Sequence, residues 1–193
     1  MRLKNHYWIL RHGEAKSNKE KLVSSWPEKI YNPLTEKGRR QVEKMTDNLG
    51  RQKIELIFSS DLLRTKQTAE IISRTLGART EFDKRLREIS MGIYNGNQEQ
   101  SWNDFFKTNL RRFTTRPPKG ENYRDVKKRV AKFIREIDKK YNNKKILIIS
   151  HGCVLFSLQA AVKNLTEKEE MRRRKNLILK TGEFKQLTTS NKR

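Results

Sequence analysis

Apolar residues along this chain gather in two kinds of pattern. Short blocks occur at Tyr7-Trp8-Ile9-Leu10 and Ile146-Leu147-Ile148-Ile149, both unbroken, and at Ile54-Glu55-Leu56-Ile57-Phe58, interrupted once by Glu55. Blocks of this length and continuity predict strands buried on both faces, as in a parallel sheet. Between them apolar positions recur at helical spacing. Val42, Met45 and Leu49 mark one face of a helix over about 36–49, with Thr35 as its N-cap and Gly50 as its terminator. Leu62, Ala69, Ile72 and Leu76 mark a second helix, capped by Asp61 and running toward Gly77. A third spans about 121–141, where Val126, Val130, Phe133, Ile134, Ile137 and Tyr141 form the stripe. A fourth begins near Cys153.

Trp102, Phe105, Phe106, Leu110 and Phe113 also lie at helical spacing and are expected to form a small cap over the sheet end, within about 97–119. Pro117-Pro118-Lys119-Gly120 reads as a loop. Leu177-Ile178-Leu179 and Phe184-Lys185-Gln186-Leu187 could pair as an edge hairpin across Thr181-Gly182, with a frayed tail over about 188–193. The length of 193 residues suits one well-buried domain, 1–193, and is short for two.

Composition narrows the setting. No apolar run approaches the roughly 18 residues that span a bilayer, so no membrane insertion is expected. The N-terminal apolar run is too short for a secretory core, which predicts a cytoplasmic protein. The single cysteine, Cys153, cannot form an internal disulfide and fits a reducing compartment. Lys and Arg number 45 against 22 Asp and Glu, a net charge of +23. Such a field attracts anionic substrates and can hold polyanions nonspecifically. The basic residues are spread over many predicted helix faces, which fits a solvated surface better than a dedicated patch. Oligomeric state is not readable from these features.

The candidate chemistry lies where two of the strand blocks end. Each runs into a histidine followed by glycine, Arg11-His12-Gly13-Glu14 and Ser150-His151-Gly152. Ligands bind at the carboxyl ends of parallel strands, so the two imidazoles can meet in one site. A neutral imidazole can attack phosphorus and form a covalent phosphohistidine. Arg11 and Arg64 are then candidate clamps, since a guanidinium stays charged and presents a planar fork to phosphate oxygens. Glu88, in a glycine-bearing loop, is the candidate proton donor. His6 has only its strand adjacency to connect it with such a site and reads as structural. Cysteine-phosphatase chemistry fits poorly, because Gln159 stands where Cys153 would need an arginine. Three histidines without clustered carboxylates offer no obvious metal site.

Arg11-His12-Gly13-Glu14, Asn18, Asn32-Pro33-Leu34-Thr35-Glu36-Lys37-Gly38, the segment Ser59 to Ala69, Glu88 with Gly92 and Gly96, Gly120-Glu121 and Ser150-His151-Gly152 stand in one order. In that order they resemble the histidine phosphatase superfamily, in its phosphoglycerate-mutase-like branch. The resemblance implies a three-layer α/β/α sandwich with a mainly parallel central sheet and the site at the strand carboxyl ends. It implies that His12 is the nucleophile and that Arg11, Arg64 and His151 hold the phosphoryl group, with Gly152 beside them. Asn18 would be a further phosphate contact, and Glu88 the acid and later the base for water. Neither a cofactor nor a metal is implied, and the expected partner is a small phosphorylated substrate.

Three departures bear on that expectation. Ala15 replaces a common threonine and Asn122 a usual serine, which changes hydrogen bonding at the pocket edge. Ser24-Ser25-Trp26 lacks a frequent glycine of the substrate loop, which leaves the organic part of the substrate open. Hydrolysis of a phosphomonoester ranks first. Mutase-like return of the phosphoryl group ranks second, because only a compact segment separates Gly96 from Gly120. A weakly catalytic protein that binds nucleic acid or another polyanion through its basic surface is the alternative of a different class.

Overall fold

In the computed structural model, which describes residues 1–189, the three apolar blocks are strands of one sheet. The first, β1 (His6–Arg11), leads into the four-residue helix α1 (Lys16–Lys19) and then into α2 (Glu36–Gly50). β2 (Leu56–Ser59), α3 (Leu63–Leu76) and β3 (Arg79–Phe82) follow. A long irregular stretch carries two short helices, α4 (Glu99–Asp104) and α5 (Arg111–Thr114). The long helix α6 (Tyr123–Lys140) precedes β4 (Lys145–Ser150) and α7 (Gly152–Val162). The chain returns through α8 (Glu167–Arg172) and α9 (Arg174–Leu177) to β5 (Phe184–Gln186).

The five-stranded sheet has the order β3-β2-β4-β1-β5, with β5 antiparallel to β1 and the other pairings parallel. Alternate side chains of each central strand enter different cores. Tyr7, Ile9, Phe58, Ile146 and Ile148 pack with α6, α7 and the residues around α4 and α5. Trp8, Leu10, Ile57, Leu147 and Ile149 pack against α2 and α3. Both faces of the sheet are therefore covered, which explains why the strands read as unbroken apolar runs. The result is the expected three-layer α/β/α sandwich.

The register of β1 and β4 positions the site. Arg11 lies opposite Ser150, so the next residues, His12 and His151, leave the same sheet end side by side. On the other flank of β4, Ser59 lies opposite Ile149, which brings Ser60 to the same place.

Several local expectations are corrected. Gly50 is the last residue of α2 rather than a terminator beyond it, and Thr35 does cap the helix through Gly38 N at 3.0 Å. Asp61 does not cap α3, whose cap position is Leu62. Instead its carboxylate takes two 2.6 Å hydrogen bonds from Arg87. The aromatic run does not form one helix, since α4 and α5 are separated. Trp102, Phe106 and Phe113 join the main core while Leu110 is exposed. No edge hairpin forms, because Leu177 ends α9 and β5 pairs with β1. Gly182 then turns with its N–H directed at the carbonyls of Arg11 and His12. Thr188 accepts a hydrogen bond from Lys163, and residues 190–193 of the expected frayed tail lie outside the described residues.

Candidate active site

The site forms where the strand ends expose side chains that the packed sheet holds still. His12 is anchored by its own N–H to Ser150 O at 3.1 Å. Its ring Nδ1 lies 2.7 Å from Gly13 O, an atom that can only accept, so Nδ1 carries the proton and Nε2 presents a lone pair. The Nε–H of Arg64 points at that Nε2 from 3.3 Å. The His151 ring sits edge-on to His12, with centroids 5.1 Å apart, and its Nε2 is 2.9 Å from Ser60 Oγ. Both imidazoles are buried, at 2% and 0% exposure. Burial is the main reason their pKa values fall well below the ordinary histidine value. Arg64 and then Arg11 lower that of His12, and Arg64, His12 and Arg11 that of His151. Both rings are thus neutral near pH 7, and the positive charge of the site belongs to the arginines.

Each arginine is held without being used up. Arg11 donates from Nη1 to Leu179 O at 3.0 Å, while its buried Nε has no hydrogen-bond partner. A side chain at Gly152 would begin 3.4 Å from the Arg11 guanidinium, so the glycine leaves room for that group. Arg64 is fastened by the loop after α1, with Nη2 to Ser24 O at 3.0 Å and Nη1 to Glu28 Oε1 at 3.0 Å. Burial lowers the Arg64 pKa to about 10 against the support of Glu88 and Glu28, which still leaves it charged at neutral pH. His151 Nδ1 is also buried without a partner. Two buried nitrogens without a partner therefore belong to Arg11 and His151, the residues next to His12 in the chain and in space, and such unpaired groups call for a ligand oxygen.

Glu88 lines the same cavity. Its Oε1 accepts from the N–H of Ile89 at 2.9 Å, and burial raises its pKa against the pull of Arg64, Arg11 and Arg129. Its loop is fixed from behind, because Glu121 accepts from Ser90 N at 2.9 Å and pairs with Arg129 at 2.9 Å. The neighbouring arginines do not pair with Glu88, since Arg85 pairs with Asp83 and Glu136, and Arg87 with Asp61. Asn18 is at the cavity wall, with Oδ1 accepting from Ala15 N at 3.0 Å and its amide nitrogen left as a donor. His6 stays exposed at the start of β1. Asn122 caps α6 by accepting from Asp125 N at 3.0 Å, so this departure keeps the helix start intact.

All the candidate residues except His151 line one cavity of about 320 Å³, and His151 stands against His12 behind them. That volume suits a small metabolite. Among the described residues no group of three or more His, Cys, Asp or Glu is arranged to hold a metal ion. No described helix is long and apolar enough to cross a membrane. Sequence reading missed Ser60 as the partner of His151, Ser24 and Glu28 as the holders of Arg64, and Arg112 and Arg174 as cavity residues. Ser24 and Ser60 sat inside segments already singled out; the other three carried no local signal.

A sheet that brings imidazoles and guanidiniums together in this way is matched by a known group of phosphate-handling enzymes. The profile of the histidine phosphatase superfamily (branch 1) covers residues 7–189, and the chain belongs to that superfamily. A probable phosphoglycerate mutase, GpmB, of Salmonella arizonae is 31% identical over 172 residues, 86% of this chain and 79% of its own. The solved structure of Bacillus stearothermophilus YhfR is 28% identical, covers 86% of this chain and 83% of that one, and has a TM-score of 0.76. A mycobacterial glucosyl-3-phosphoglycerate phosphatase complexed with VO3 shares the fold with a TM-score of 0.81 at 24% identity, covering 95% and 90% of the two chains.

Proposed function

We propose that the chain is a metal-independent phosphomonoesterase that hydrolyses small phosphorylated metabolites through a phosphohistidine at His12. The observation that carries this reading is the fixed tautomer of His12. Gly13 O holds the proton on Nδ1, and the unprotonated Nε2 accepts from Arg64 Nε–H, while the neighbouring residues Arg11 and His151 each keep a buried nitrogen without a partner.

Attack by Nε2 on phosphorus forms the P–N bond as the bond to the leaving oxygen breaks. Arg11 and Arg64 offset the charge on the phosphoryl oxygens and the neutral His151 contributes a hydrogen bond, with Asn18 and the Gly152 backbone beside them. Glu88, kept protonated to higher pH by its burial, delivers a proton to the departing alkoxide. The Glu88 carboxylate then takes a proton from water as that water attacks phosphorus, and breaking the P–N bond restores His12. Phosphatases among the structural neighbours support hydrolysis as the outcome. Return of the phosphoryl group to a bound sugar acid uses the same first step and is the second reading, supported by the mutase names of the curated relatives.

A panel of phosphomonoesters assayed with wild type and His12→Ala, with and without a chelator, tests the reading. Release of phosphate by wild type alone, unchanged by EDTA, is the expected result. Activity that EDTA abolishes and a divalent ion restores would contradict the metal-free route, because the arginines already supply the charge a metal would provide.

A further inference from the structure

Basic residues far apart in the sequence gather on a side of the molecule that the mechanism above does not use. A concavity of about 1180 Å³ beside α6 and the end of α7 is lined by Arg2, Arg124, Lys127, Lys128, Arg135 and Lys163, and by no carboxylate among the described residues. Two smaller concavities, of about 580 Å³ and 420 Å³, also reach Lys163, and they add Arg173, Lys185 and one acid, Glu169. Glu169 is turned to the start of α8, where its carboxylate accepts from Thr166 N at 2.8 Å. Together the three form a trough around Lys163 that has no residue in common with the active-site cavity. The length of α7 separates the two, since its eleven residues run from His151 to Lys163, about 16 Å.

Little of this charge is neutralised within the chain. Arg124 pairs with Glu167, and Lys127 with the buried Glu170. Arg2, Lys128, Arg135, Arg173 and Lys185 have no carboxylate within ion-pair distance among the described residues. The cations also feel one another: burial lowers the Lys185 pKa and Lys163 adds to that effect, against the opposing pull of Glu183. Like charges held in concave walls focus a positive field, and a polyanion that releases their counterions relieves the repulsion.

We propose that this trough binds single-stranded RNA along its sugar-phosphate backbone, without regard to base sequence, as a function separate from the phosphomonoesterase. The arginines and lysines take the phosphate oxygens. Asn164, Asn176, Gln186 and Thr188, in the same walls, are of the types that bond sugar and phosphate, and a 2′-hydroxyl can both give to and accept from them. No aromatic residue lines the trough among the described residues, so the bases have nothing to stack on and the backbone carries the contact. A bilayer fits less well, because it is flat and the leucines here, Leu165 and Leu177, are buried rather than offered as anchors. Concavities grouped about one residue need a ligand that bends, as a single strand does and a duplex with a persistence length of about 50 nm does not.

Fluorescence anisotropy of a labelled oligouridylate with the full chain tests the assignment. The oligomer has hydroxyl ends, so it offers phosphodiesters and no phosphomonoester to the active site. Wild type is expected to bind it with a Kd of about 1–100 μM at physiological salt, and log K should fall with log salt at a slope of about −3 to −4, the value for five phosphate contacts on a single strand. The double variant Lys128→Gln with Arg135→Gln should bind about tenfold more weakly, with the slope reduced to about −2. Lys44→Gln with Arg51→Gln removes the same charge from exposed positions at α2, on the other face of the sheet, and should bind as wild type does. Phosphatase turnover should be unchanged in both, which also shows that both are folded. Oligothymidylate, which lacks the 2′-hydroxyl, should bind about 2- to 10-fold more weakly than oligouridylate. Absence of binding, or equal weakening in the two double variants, would overturn the trough and leave the phosphomonoesterase reading standing. Binding of oligothymidylate, duplex RNA or phosphatidylserine vesicles as tight as that of oligouridylate would overturn single-stranded RNA as its ligand.

Discussion

Glu28→Ala isolates what holds Arg64 in place. The carboxylate of Glu28 accepts from Arg64 Nη1 at 3.0 Å and from Leu63 N, at the start of α3, at 3.2 Å. The charge-assisted bond is worth about 1.5–3 kcal/mol and the helix-end contact about 0.3–1 kcal/mol. Two features reduce the sum. Glu28 is 21% exposed, so water can replace part of what is lost, and Arg64 keeps its bonds to Ser24 O and His12 Nε2. A net destabilisation of about 1–3 kcal/mol follows, which for a chain of this length lowers Tm by roughly 2–4 °C per kcal/mol. The same substitution leaves Arg64, only 3% exposed, as a buried cation short of a counterion. Inorganic phosphate should therefore raise the Tm of the variant by more than it raises that of wild type. Thermal unfolding followed by circular dichroism, with and without phosphate, reads both effects. An unchanged Tm without phosphate, or a smaller phosphate-induced rise than in wild type, would refute the reasoning.

Glu88→Gln should slow phosphorylation of His12 by an alkyl phosphate about 10²- to 10⁴-fold and by an activated aryl phosphate far less, measured in single turnover. In wild type kcat/KM for the alkyl ester should fall as pH rises through the raised Glu88 pKa, because the protonated form is lost, and Glu88→Gln should abolish that alkaline limb. Equal slowing of both esters would make Glu88 a positioning residue. Gly38→Ala would place a Cβ 2.0 Å from Glu14 O, forcing α2 and the histidine loop apart. Alanine gains about 1 kcal/mol of helix propensity there, yet a contact that close between rigid elements outweighs it. A net loss of about 1–3 kcal/mol in urea unfolding is expected, with reduced turnover, and an unchanged midpoint would contradict the close approach.

The parts of the fold that could be read in the sequence are those whose physics is local. β1 and β4 show as unbroken apolar runs because both faces are covered, and α6 shows its stripe because one face meets the sheet. The parallel pairing of those two strands then makes the meeting of His12 and His151 legible. β3 was not, since Arg79-Thr80-Glu81-Phe82 is an edge strand with a polar sequence and only β2 as a neighbour. Asp61 looked like a cap because its position suits one, and the bidentate pairing with Arg87, 26 residues away, took precedence. Glu28 sits in a loop without periodicity. Arg112 and Arg174 are indistinguishable in sequence from the many surface cations of a chain with net charge +23, and only burial in the cavity separates them.

The covalent route through His12 is most directly tested by rapid-quench labelling with a ³²P-phosphomonoester, followed by mapping of the labelled peptide. The expected label is lost in acid, is stable in base, lies on His12 and is missing from His12→Ala. Label on another residue in wild type, or an undiminished signal in His12→Ala, would contradict it.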